Sequence, residues 1–107
     1  MKEIGKHTTV TRCDNVVIIK IKGVFKFDAH TEFRKVYKSN LNDNEAIEFV
    51  IDLSMAEYID SSALGMLLIF REEISQQKNS TIKIINTSPG VKKILEIANF
   101  GKLFDIE

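Results

Sequence analysis

The sequence has one cysteine, one proline and no tryptophan among its 107 residues. The single thiol, Cys13, permits no intrachain disulfide and no cysteine-rich metal site, a pattern suited to a reducing, cytoplasmic setting. Cys13 itself reads as a small buried hydrophobe. Five glycines and one proline leave no linker-like stretch, and no internal repeat or low-complexity tract is present, so one domain is expected over residues 1–107. No charge excess exists either: 15 basic residues balance 15 acidic ones. A zero balance argues against a general electrostatic hold on nucleic acid or on anionic lipid, though not against a local patch. No apolar run approaches the ~20 residues that span a bilayer, so no membrane insertion is expected. The N-terminal "MKEIGKHTT" lacks the apolar stretch of a signal peptide.

What is present is a regular alternation of strand and helix signals. "TTVTRC", the pair Asp14-Asn15 and "VVIIKIKG" read as a hairpin, because β-branched residues favour strands and Asp-Asn tolerates left-handed turn positions. Val17, Ile19 and Ile21 share one face. Val16 and Ile18 point the other way, which predicts cover on both sides of this strand near its start, and Gly23 is expected to close it. "FDAHTEFRKVYKSNL" has helical spacing, with Asp28 as N-cap and Ala29, Phe33 and Val36 on one stripe. "NDNEA" should break this helix. "AIEFVIDL" is the next strand, and "SMAEYI" reads as a loop after it. A second helix is expected from Ser61 to about Lys78, apolar almost all round its first half (Ala63 to Phe70) and polar afterwards, hence buried first and solvated later. "STIKIIN" is a strand. Ser88 and Pro89 then open a helix with Val91, Ile94, Leu95 and Ala98 on one face, and Gly101 is positioned to end it. "KLFDI" is a weak final element.

The order β-β-α-β-α-β-α predicts an α/β fold. Its mixed sheet has four or five strands, with parallel neighbours joined by right-handed crossovers and helices mainly on one side.

Catalytic signals are few. His7 and His30 have no partner at the helical spacing of a metal pair, so no metal is expected. His7 is assigned to a mobile terminus and His30 to the first turn of a helix. There is no phosphate loop and no Gly-x-Ser-x-Gly elbow. Asp52 and Asp60 read as a strand-end charge and a helix cap rather than as an acid pair. Lys92 and Lys93 read as a solvated helix face. No cofactor is indicated, and the chain is not expected to be an enzyme.

One stretch remains, "IDSSALG". In its plainest reading Asp60 caps a helix and Ser61 and Ser62 fill the first turn. The same geometry suits a modification site. Free N–H groups and a positive pole at a helix start would hold a phosphate on Ser61 without unfolding the domain, changing the local charge by about −2.

"VIDLSMAEYIDSSALGMLL" resembles the signature of the STAS domain found in bacterial anti-sigma factor antagonists. That signature is a strand ending in Asp-Leu, a short loop, then Asp-Ser-Ser/Thr-Gly-Leu-Gly opening a helix. Asp52-Leu53 and Asp60-Ser61-Ser62-Ala63-Leu64-Gly65 stand in those places. "VVIIKIKGVF" and "TIKIINTSPGVKKILEIANFGKLFDI" extend the resemblance over nearly the whole chain, and "GVFKFDAHTEFRKVY" is similar to a proteobacterial subgroup of such regulators. The resemblance implies a phosphorylation-switched binding module whose phosphoacceptor is Ser61. Unphosphorylated, such a module sequesters an anti-sigma factor or a serine-kinase regulator, and a PP2C-type phosphatase resets it. The implied partner surface comprises Asp60, Ser61, Ser62, Ala63, Met66, Tyr58 and Asp28, on a monomer or weak homodimer. Two positions depart from the pattern. Ala63 replaces a glycine, which implies a stiffer helix start more hindered to a kinase. Lys26 stands where many members carry an acid. The alternative is a constitutive STAS adaptor in a signalling or lipid-transport complex, with Ser61 as a first-turn residue only.

Overall fold

The computed structural model describes residues 2–4, 7–41, 47–76 and 80–107. Six strands form one sheet in sequential order: β1 Lys2–Ile4, β2 Thr8–Cys13, β3 Val16–Phe25, β4 Glu48–Ile59, β5 Thr81–Ile85 and β6 Asp105–Ile106. Three α-helices connect the later strands: α1 His30–Ser39, α2 Ser61–Ser75 and α3 Pro89–Ile97. β1, β2 and β3 pair antiparallel, and β3 through β6 are parallel. Each parallel step advances in the same direction, so right-handed crossovers place all three helices on one face. The expected α/β architecture holds, with one strand more at the N-terminal edge. The predicted breaker "NDNEA" and the last residues of the second helix, 77–78, lie outside the described residues.

The hairpin turn forms as its residues dictate. Asp14 takes a left-handed φ of 52°, and Cys13 pairs with Val16 across the turn. Cys13 is exposed, not buried, because the sheet face it occupies carries no helix. The same fact corrects the reading of Val16 and Ile18, which stay only partly buried. On the covered face, Val17, Ile19, Ile21, Phe49 and Ile51 lose all contact with solvent. At about 1.5–3 kcal/mol for each large apolar side chain, this face is the main source of stability.

Gly23 does not end its strand. β3 runs on to Phe25, and Gly23, at φ 75°, sits at one of two register irregularities. The partner strand accounts for both. Lys20 pairs with Asp52 but Lys22 with Met55, and Gly23 pairs with Ala56 but Val24 with Tyr58. β4 therefore carries an extra residue at each place, and the expected loop "SMAEYI" is a twice-bulged strand. Bulges turn Ala56 and Ile59 into the core while Met55 and Tyr58 face out.

α1 starts later than its sequence suggests. Phe27–Ala29 form a 3-10 turn, and Ala29, not Asp28, is the N-cap, without a side-chain bond. Asp28 is instead an exposed acid between Lys26 and His7, each 3.9 Å away. His7 is not at a loose end: its N–H donates to Glu32 and its carbonyl accepts from Lys22. α3 opens as predicted, with Val91 N–H donating to Ser88 Oγ at 3.3 Å and Pro89 in the first turn. Its stop is Asn99, in a left-handed conformation, and Gly101 lies in the following 3-10 turn.

Candidate functional site

The site of interest is the point where β4 hands over to α2. Ile59 is fully buried against Phe25, its register partner, and Asp60 N–H donates to the Phe25 carbonyl at 3.2 Å. The chain is thus pinned just before the helix. The Asp60 carboxylate then accepts from Ala63 N–H at 2.9 Å, satisfying one of the free donors of the first turn. Ser61 follows at the first helical position and is exposed. No hydrogen bond among the described residues ties its hydroxyl to another group. Ser62 is half-buried. Asp60→Ala should cost about 1 kcal/mol by loss of the cap, read as a lower urea midpoint with an unchanged slope.

Two expected surface residues turn inward. Ala63 is fully buried and Met66 nearly so, because α2 lays that side on the sheet and against α1. Neither offers an apolar surface to a visitor beyond the floor that Met66 gives to a crevice between α1 and α2. The Ala63 methyl group is sealed in the core and is not at the surface beside Ser61. The apolar contact comes from residues the sequence reading passed over. Tyr58 is 52% exposed as expected, and Met55 (55%), Val24 and Phe27 (70%) are exposed with it. Val24 pairs with Tyr58 in the sheet, and Phe27 stacks on His30 with ring centroids 5.9 Å apart. No sequence signal marks Met55 and Tyr58 as outward-facing, because the bulges that turn them out appear only in the strand register.

Asp52 and Asp60 bond to different partners and form no acid pair. Asp52 accepts from Ser54 N–H at 2.9 Å, the donor the first bulge frees from the ladder, and from Asn86 Nδ2 at 3.3 Å; Lys20 Nζ lies 3.9 Å away. Burial pushes this carboxyl up, but the bonds from Ser54 and Asn86 and the Lys20 charge outweigh it and hold it below its ordinary 3.8. A carboxylate depressed by folding contributes stability that is complete above the unfolded value and lost as pH falls through the folded one. Wild type should therefore lose stability as pH drops below about 4, and Asp52→Asn should flatten that loss, measured by urea unfolding across an acid series.

Among the described residues, no group of three or more histidine, cysteine or acidic side chains could hold a metal ion, and no helix is long and apolar enough to cross a membrane.

The STAS-domain family model matches residues 7–107. A STAS-domain containing protein of Pseudomonas aeruginosa (strain UCBPP-PA14) is 46% identical over 91 residues, covering 82% of this chain and 84% of the relative. Among solved structures, a Thermotoga maritima protein described as an anti-sigma factor antagonist superposes with a TM-score of 0.80 at 20% identity, over 92% of this chain and 84% of that one. The anti-sigma factor antagonist SpoIIAA of Bacillus aligns in two forms. Unphosphorylated, it gives a TM-score of 0.77 at 18% identity, over 94% of this chain and 87% of that one. Phosphorylated, it gives 0.71 at 16%, over 94% and 90%. At these identities the solved structures share the fold, and the family match with the Pseudomonas relative carries the assignment: this chain belongs to the STAS domain family.

Proposed function

We propose that the protein is an anti-sigma factor antagonist of the cytoplasm, a binding module rather than a catalyst. Unphosphorylated, it holds an anti-sigma factor or a related serine-kinase regulator. A phosphate on Ser61 releases that partner, and a PP2C-type phosphatase restores binding. One observation carries the reading: Ser61 is exposed at the capped start of α2, three residues beyond the exposed Tyr58. The fold it shares with SpoIIAA, a protein solved with and without phosphate, supports it. The alternative, an adaptor without a switch, leaned on Ala63 as an obstacle. That side chain lies inside the core, so it does not favour the adaptor over the switch.

The test begins with the tagged chain recovered from its own cells. A phosphopeptide containing Ser61 is expected, together with a retained partner that is then purified. Ser61→Ala should bind this partner like wild type, and Ser61→Asp should not. A partner held equally by all three forms would end the reading.

A further inference from the structure

We propose that the groove between the end of α2 and the open edge of β5 binds a small organic acid. Arg71 holds its carboxylate, and Ile74, Ile82 and Leu103 lie against its apolar body. The site is separate from Ser61, because Arg71 stands about 15 Å further along α2 at the helical rise per residue.

The groove exists because β6 is short. Its two residues pair with Lys83 and Ile84 only, so Thr81 and Ile82 leave β5 with an open edge. Thr81 N–H donates to the Ile47 carbonyl at 3.0 Å, toward β4, and the Ile84 carbonyl accepts from Glu107 N–H at 2.8 Å on the other side. Backbone groups alternate between the two sides of a strand, so Ile82 N–H points to the open edge. In a longer β6 the Leu103 carbonyl would meet it. That carbonyl instead accepts from Arg71 Nε at 2.8 Å. No bond to Ile82 N–H forms among the described residues. What is left is a cavity of about 260 Å³ between α2, β5 and Leu103.

The polar groups that line it are donors. Arg71 is half-buried, and with Nε fixed on Leu103 the terminal nitrogens of its fork have no carboxylate partner among the described residues. Ser80 Oγ accepts from Ile47 N–H at 3.0 Å and keeps its proton to donate. Thr81 adds an exposed hydroxyl. Only the Ser75 hydroxyl is turned away, to the Glu72 carbonyl at 2.7 Å. Glu72, Lys102 and Asp105 adjoin these residues in sequence, but all three are exposed and none lines the groove. Donors around one guanidinium call for one anionic acceptor. Ile74 is buried and Ile82 half-buried, so that acceptor sits against apolar walls. A phosphate dianion would leave charge unneutralised there. A carboxylate carries a single charge and matches the planar fork. The volume falls below the roughly 300–1,000 Å³ of drug-sized sites, which favours a small molecule, and one open ladder position is too little for an added peptide strand.

Amide NMR of the full chain, titrated with 3-methylbutanoate, tests the proposal. Saturable shifts are expected at Ser80, Thr81, Ile82 and Arg71 Nε, with a dissociation constant of about 1 mM or below. The uncharged 3-methylbutanamide should bind at least about tenfold more weakly. Arg71→Gln should lose about as much, and so should Leu103→Glu, which sets a like charge on the exposed rim with Arg71 intact. Lys92→Gln, which removes an exposed cation from α3, should bind as wild type. Melting curves show that each variant is folded, and the comparison of acid with amide needs only the wild-type chain. Shifts that do not saturate overturn the proposal, as does equal binding of acid and amide, or full affinity in folded Arg71→Gln. Inorganic phosphate that moves the same amides at lower concentration would give the groove to phosphate. An Ala-Ala-Val peptide that binds more tightly than the free acid, and loses this on amidation of its C-terminus, would give it to a chain end. Either result also overturns the proposal.

Discussion

A phosphate on Ser61 should weaken partner binding by about a thousandfold while leaving the fold intact. The two halves of this expectation have separate causes. Inside the free chain the added charge meets a helix start, where N–H groups and the macrodipole favour an anion by about 0.3–1 kcal/mol. The neighbouring Asp60 carboxylate opposes it, so the net change in stability is small. Its capping bond to Ala63 N–H uses one carboxylate oxygen and does not involve the Ser61 side chain. In the complex the balance differs. Ser61 is exposed at the start of α2, three residues beyond the exposed Tyr58, so a partner docked there would remove water from the phosphate. Burying an anion without a cation to meet it costs several kcal/mol, and about 4 kcal/mol suffices for a thousandfold loss. Titration calorimetry with wild type, phosphorylated chain and Ser61→Asp reads the affinity, and thermal unfolding reads the fold. Equal dissociation constants for the phosphorylated and unmodified chains would sink the switch. A melting temperature that collapses on phosphorylation would show that release comes from unfolding rather than from the interface.

The elements legible in the sequence are those whose boundaries are written in local chemistry. α3 has Ser88 and Pro89 at its start and a clean apolar face, and the β2–β3 hairpin has Asp14-Asn15 at its turn. The start of α2 was legible through "IDSSALG", which placed Asp60 as the cap and Ser61 in the first turn. What failed depends on direction and register, which local pattern does not encode. The second half of β4 looked like a loop because its bulges break the alternation of inward and outward residues. Gly23 looked like a terminator because a left-handed residue inside a strand is uncommon. The run from Ala63 to Phe70 is so apolar that periodicity cannot say which side faces out. Met66 was accordingly placed at the surface and Leu68 and Ile69 in the core, the reverse of what packing gives. Asp28 lost the cap to Ala29 because a 3-10 turn precedes α1, and Cys13 is exposed because only one sheet face carries helices.

Phe70→Ala should be the most damaging single truncation, at about 3–5 kcal/mol. Phe70 is fully buried at the junction of α1, α2 and β4. Its ring centroid lies 4.6 Å from Tyr37, 5.2 Å from Phe33 and 5.4 Å from Phe49, with edge-to-face or tilted geometry throughout. Removing it deletes three aromatic pairs and opens a cavity that helix and strand backbones cannot collapse to fill. Against a total stability of about 5–15 kcal/mol, that loss brings the domain near its unfolding threshold. A fall in melting temperature of more than about 12 °C is expected. Phe27→Ala is the control, because its ring is largely in solvent, and it should change stability by less than about 0.5 kcal/mol. Tyr37→Phe separates ring packing from hydrogen bonding at the same junction. It keeps the ring and removes the bond from the Tyr37 hydroxyl to Glu73, an interaction worth about 1.5–3 kcal/mol when the acceptor is charged. Burial and then that bond push the Tyr37 phenol above its ordinary 10.0. A proton held more tightly in the folded state gives stability that is full below pH 10 and lost as pH rises through the folded value. Wild type should therefore weaken in strong alkali more steeply than Tyr37→Phe does. If Phe70→Ala instead costs no more than Phe27→Ala, α1 and α2 are not held together by this ring cluster. The crevice between them would then lack a rigid base.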